Sequence, residues 1–245
     1  MTSKRSIKSM KSVKIDEEGD YGSISAMGSI TGVVPFTADE IKANGTLRII
    51  RVAEIQECRV NGSFKAEEQV TLGTATINGS TKAVSLTVGS KARFNGSTTI
   101  ERSVEGSEDT SLVFNGSLTS PVIRNVGNLT VNGKSRVARF ENLGSLTGNG
   151  SVEAELIEVR GKVTLEVGSS ESTIGLIQAA DVEVGHNLNG TRTSMFGRSP
   201  PGQASIDEIR ATGKVELDHV RVKKVVAREL FVGEDTEVGE FVELT

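Results

Sequence analysis

The chain has 245 residues, 36% hydrophobic and 24% charged, with a net charge of −4. That balance excludes a bundle of apolar membrane spans, a disordered polyelectrolyte and a strongly basic nucleic-acid binder. With no Trp, one Tyr and 4% aromatic residues against 27 glycines, the wide ring-filled core of a conventional globule is also excluded, leaving a narrow interior of Val, Ile, Leu and Ala.

Residues 1–14 carry Lys4, Arg5, Lys8, Lys11 and Lys14 with Ile7, Met10 and Val13 between them and no acid. They read as a basic flexible tail, and 15–27 as a lead-in to the first repeat. A base close to an anionic leaflet contributes about 1 kcal/mol. Lys4, Arg5, Ile7, Lys8, Lys11 and Lys14 are therefore the residues expected to make a weak peripheral membrane contact, the competing reading being a solubilising tail. The start lacks the apolar stretch of a secretory signal. No run of apolar residues is long enough to span a bilayer, and a lone cysteine, Cys58, suits a reducing compartment. The expected location is cytoplasmic, with membrane association through the tail.

From residue 28 to 185 the sequence repeats. Gly28, Gly45, Gly62, Gly79 and Gly96 stand 17 residues apart; after one step of 20, Gly116, Gly133 and Gly150 resume the spacing, and Gly168 and Gly185 come next. Asn precedes glycine at 44, 61, 78, 95, 115, 132 and 149. Apolar pairs recur at fixed offsets from the glycine: Leu47 and Ile49, then Val52 and Ile55, then Cys58 and Val60. Later units offer Leu86 and Val88, or Ile123 and Val126, for the middle pair. Each pair is spaced near the strand period, with a break before the next, and no window sustains a helical period. Each unit is predicted to be three short strands joined by three turns, one coil of a triangular β-solenoid whose inward side chains stack into a continuous core. The Asn-Gly pair is predicted to turn the corner through positive φ, with asparagine side chains bonding from coil to coil.

Residues 186–205 hold adjacent prolines and no alternation, and read as an inserted surface loop. Alternation returns over 206–245 as further C-terminal coils. The whole chain is predicted to wind about ten to twelve coils.

The sequence offers little chemistry. His186 and His219 are the only histidines, and neither has a cysteine or second histidine at ligand spacing, so no metal is expected. Cys58 falls at an inward offset, where a core thiol is inert. The stretch 127–135 has a spacing unlike that of a phosphate-binding loop and leads into no helix, so no nucleotide or other cofactor is expected. No catalytic residue is assigned; the chain is not expected to be an enzyme.

What remains is the end of the stack. A solenoid has two open ends, each a row of unpaired backbone groups over a cross-section of core, and most solenoids cover them. The run from Glu229 carries six acids and no base together with Leu230, Phe231, Val232, Val238, Phe241, Val242 and Leu244. Those seven are the predicted polymerisation interface, with a second copy of the chain as partner. Seventeen-residue units such as that from Asn61 to Ile77 resemble those of the bactofilins, the polymer-forming cytoskeletal proteins. The resemblance covers 28–185 closely and 207–245 more loosely. It implies a right-handed β-helix, nucleotide-independent filaments joined through terminal coils, and a scaffold that positions other proteins at the membrane in cell shape, division or motility. By position, the family's C-terminal hydrophobic patch would fall on Phe231 and Phe241.

The rival is an enzyme, a hexapeptide-type acyltransferase with a left-handed β-helix. Its six-residue rhythm is present only at 232–244, and its catalytic histidine would have to be His186 or His219.

Overall fold

The computed structural model describes residues 4–168, 170–186, 188 and 203–245. Among them are twenty-four β-strands and no helix. The strand pairings among these residues are parallel and join each strand to one a turn away, giving a β-solenoid of about thirteen turns of roughly 17 residues. That is slightly more than the predicted ten to twelve. The chain divides into two compact units, Met1–Gly127 and Asn128–Thr245.

In the first unit each turn has three faces, seen in the turn from Leu47 to Val60. Leu47 and Ile49 point inward from face A, Ala53 and Ile55 from face B, Cys58 and Val60 from face C, all buried. Each inward position continues through the register: Ile30, Leu47 and Phe64 on face A, Phe36, Ala53 and Val70 on face B, Ile24, Ile41, Cys58 and Ala75 on face C. The second unit repeats the scheme, with Phe140, Ile157, Ile177, Ile209 and Val225 on face B. Alternation along each face buries two side chains and turns the one between them to solvent.

Two predicted core residues are misplaced by one position. Val52 is 47% exposed and Val126 half-buried; Ala53 and Asn125 hold the inward places. The corner between faces consumes residues without regard to hydropathy, so a branched apolar residue can sit on it. The interior is also more polar than expected, with Thr81, Thr98, Ser120, Asn125, Ser135 and Asn142 all buried. The step of 20 residues has a local cause. A turn with Thr110 N–H donating to the Ser107 carbonyl at 3.2 Å, and Asp109 at φ +57°, is inserted between faces B and C.

The Asn-Gly corner works, but by a different division of labour from the predicted one. No described asparagine has a positive φ. Glycine is required because the coils touch there: a Cβ on Gly62 would lie 2.1 Å from the Gly45 carbonyl oxygen, and one on Gly79 2.2 Å from that of Gly62. Asparagine supplies the ladder. Asn61, Asn78, Asn95 and Asn115 each donate Nδ2 to the Oδ1 of the asparagine one turn earlier, at 2.9, 2.8, 2.7 and 2.7 Å. In the second unit Asn149 donates to Asn132 at 2.6 Å.

The N-terminal segment, predicted as a flexible tail over 1–14 and a lead-in over 15–27, holds strands of the solenoid from Arg5 onward. Arg5–Ser9 pairs with Gly19–Ala26, and Val13–Ile15 with Ile30–Gly32. Its alternation of base and apolar residue is that of a strand, Val13 and Ile15 inward and Lys14 outward. At the other irregular region the strand Ala204–Ala211 begins two residues inside the predicted loop. Within that loop, 187 and 189–202 lie outside the described residues.

Candidate functional site

The last turn is made of Glu229–Val232 and Glu237–Glu243, whose register partners lie in Lys214–Leu217 and Val220–Ala227 of the turn before. Four of the seven predicted interface residues continue inward columns. Leu230 follows Val215, Val232 follows Leu217, Val238 follows Val222 and Phe241 follows Val225. One turn makes the difference between core and surface: Val225 is fully buried, whereas Phe241 is 42% and Val232 53% exposed. These side chains have a packed turn on one side and solvent on the other, over a strand edge.

The other three do not belong to that cross-section. Phe231 pairs with the outward Glu216 and Val242 with the outward Val226, so both point away from the axis, and Leu244 lies past the last strand. Phe231 is 52% exposed, with the Lys214 ammonium 5.8 Å from its ring centroid. Assigning Phe231 to the end by analogy of position is thereby corrected: strand parity sends it to face C.

The first turn presents the opposite picture. Val13, Ile15, Tyr21 and Ile24 are buried, Ile15 to 1% exposure. The Tyr21 hydroxyl donates to the Glu17 carbonyl at 2.8 Å, and its ring meets Phe36 edge-on at 6.3 Å. The Arg5 guanidinium stands 6.0 Å from the Tyr21 centroid and pairs with Glu17. Of the six residues expected at a membrane, Lys4 pairs with Asp39 at 2.6 Å, Arg5 with Glu17 and Lys14 with Asp16 at 3.2 Å. The Asp39 contact raises the Lys4 pKa. Ile7 is half-buried in line with Ile24, and Lys8 and Lys11 are exposed.

The two histidines, unrelated in sequence, meet. Their ring centroids are 5.8 Å apart. His219, at φ +57°, has Asp218 Oδ2 3.0 Å from Nδ1 and Asp235 Oδ2 3.6 Å from Nε2; His186 Nδ1 lies 3.1 Å from the Val167 carbonyl. Both nitrogens of His219 thus face carboxylates, and Asp235 belongs to the last turn, so the cluster fastens that turn to its predecessor. Among the described residues no group of three or more His, Cys, Asp and Glu has the disposition to hold a metal ion. Sequence spacing could not reveal this meeting, because the intervening segment breaks the period.

Cys58 is fully buried, and burial pushes its thiol up to about 12; at neutral pH it carries no thiolate. No helix among the described residues is long and apolar enough to cross a membrane. Comparison with protein-family models, curated proteins and solved structures gives no match.

Proposed function

We propose that this protein is a structural scaffold of the bactofilin kind, which polymerises end to end through its last turn without nucleotide and positions other proteins. The observation that carries the reading is the contrast within one column, Val225 buried and Phe241 exposed. An apolar cross-section continuous with a core is complementary to another of the same pitch, and a strand edge extends by adding strands. Burying one phenylalanine contributes roughly 1.5–3 kcal/mol, and four side chains share this surface. The site with the most ionisable groups outside it, the histidine cluster, is occupied in holding turns together.

The test is negative-stain electron microscopy and sedimentation of the purified chain with no nucleotide added. The native chain is expected to form concentration-dependent filaments. Phe241→Arg is expected to leave a folded β-rich monomer and to raise the critical concentration by about a hundredfold or more. A native chain that stays monomeric at high concentration, or a Phe241→Arg chain that polymerises as before, overturns the reading.

A further inference from the structure

Face C carries one outward column in each unit, and the two columns have opposite chemistry. In the first unit the register runs Lys8, Ser25, Lys42, Arg59, Thr76, Arg93, Val113, with four bases, two hydroxyls, one valine and no acid. In the second it runs Thr130, Thr147, Thr164, Glu183, Glu216, Phe231, with two acids, an exposed aromatic ring and no base.

We infer that face C of the first unit binds face C of the second unit of another copy of this chain. Three observations support that occupant. Both columns are parallel β-ladders with the same step of about 4.8 Å, so charges one turn apart on one column can meet charges one turn apart on the other. Lys42 and Arg59 are adjacent in register, and so are Glu183 and Glu216.

The charge available is also uneven. Lys42 and Arg59 are partly neutralised from the edge by Glu40 and Glu57, each at 2.5 Å. Among the described residues Lys91 and Arg93 have no carboxylate within ion-pair distance. They flank a shallow hollow of about 340 Å³ shared with Arg59, Thr74 and Thr76. On the acidic side a hollow of about 280 Å³ holds Glu183, Glu216 and Phe231. Both acids are partly neutralised within the chain, Glu183 by Lys162 and Glu216 by Lys214 at 2.7 Å, all at the surface, where such pairs exchange partners at little cost. A guanidinium entering the hollow meets two carboxylates and an aromatic face, a combination suited to arginine.

The acidic column, finally, favours a second copy over a lipid surface. An anionic membrane would attract the basic column but offer nothing to Glu183, Glu216 and Phe231, whereas a second copy engages both columns. The contact is lateral and does not depend on the end joint.

The test is a charge swap in full-length chains that also carry Phe241→Arg, so that end joints are blocked. Sedimentation is expected to show association at about 0.05 M salt that weakens about tenfold or more at 0.5 M, as the Debye length contracts. Arg59→Glu with Arg93→Glu, and separately Glu183→Lys with Glu216→Lys, are each expected to abolish association while circular dichroism stays that of the parent. An equal mixture of the two variants is expected to restore it. Absence of association at low salt, association undiminished in either variant, or a mixture that stays apart overturns the inference. So does a result in which the arginine variant loses flotation with phosphatidylglycerol vesicles but associates as before, which assigns the stripe to a lipid surface. Because Phe241 is replaced throughout, filaments that persist in this background refute the end joint alone, and the swap still reports on face C.

Discussion

The first turn and the last turn of this protein are built from the same coil, yet one is closed and the other open. At the first, Ile15, Tyr21 and Ile24 are all buried, Tyr21 and Ile24 in register with a further strand, and a tyrosine hydroxyl bond and an arginine stand at the edge. At the last, Leu230, Val232, Val238 and Phe241 continue four inward columns into solvent. The difference lies in the strand that covers the apolar positions. Over Ile24 lies the further strand Arg5–Ser9, with polar and charged neighbours; Glu237–Glu243 pairs with Val220–Ala227 on its inner side, and Phe241 stays exposed on the other. A closed end and an open end on one chain make the two tips chemically distinct.

The sharpest way to break that contrast is to delete the same kind of contact at each end. Ile24→Ala removes a fully buried side chain and is expected to cost about 2–5 kcal/mol. Phe241→Ala, made in dilute monomer, removes a side chain already half in water and is expected to cost under about 1 kcal/mol. Urea denaturation of both variants measures the pair. Equal losses would mean that the last turn is as well packed as the first, and the open end would disappear as an explanation. A smaller effect tests the seal itself. Tyr21→Phe keeps the edge-on contact with Phe36 but removes the hydroxyl that donates to the Glu17 carbonyl, with an expected loss of about 1 kcal/mol. Hydrogen exchange should quicken around Val13–Ile15 and stay unchanged in Glu237–Glu243.

Legibility in the sequence divides along physical lines. The coil is readable because its glycine is compulsory: neighbouring turns approach so closely at Gly62 and Gly79 that a side chain would strike a carbonyl. The asparagine ladder is readable for the same reason, since each rung has an identical partner one period away. The inward polar residues are not. Thr81 holds an inward place between Phe64 and Thr98, and Asn125 donates to the Thr110 carbonyl, while along the chain both look like ordinary surface residues. Hydropathy assigns Phe231 wrongly to the end because it does not carry parity; only the pairing with Glu216 shows which way it points. The basic N-terminal segment misleads because a strand with bases outward has the composition of a flexible tail, and the distinction rests on partners that a local window does not contain. The meeting of His186 and His219 follows from the register that sets Val184 against Leu217, and the residues between them carry no period from which that register can be read.

The smallest effect expected at the closed end isolates its electrostatic part. Arg5 and Glu17 are both more than half exposed, so their pairing is screened by water and contributes little, about 0–1 kcal/mol. The guanidinium 6.0 Å from the Tyr21 ring adds a cation–π contact of similar size at an exposed site. Arg5→Ala is therefore expected to lower global stability by under about 1 kcal/mol. Its main effect should be local, faster exchange in Arg5–Ser9, where the strand would lose its side-chain tether. About 1 M salt should reproduce part of that loss in the native chain, because it screens the ion pair. If Arg5→Ala instead destabilised the protein as much as Ile24→Ala, the closure of the first turn would be electrostatic, and a charged substitution could then close the last turn. If it does little, the seal is the buried apolar surface under Arg5–Ser9, and covering the last turn would require an added strand.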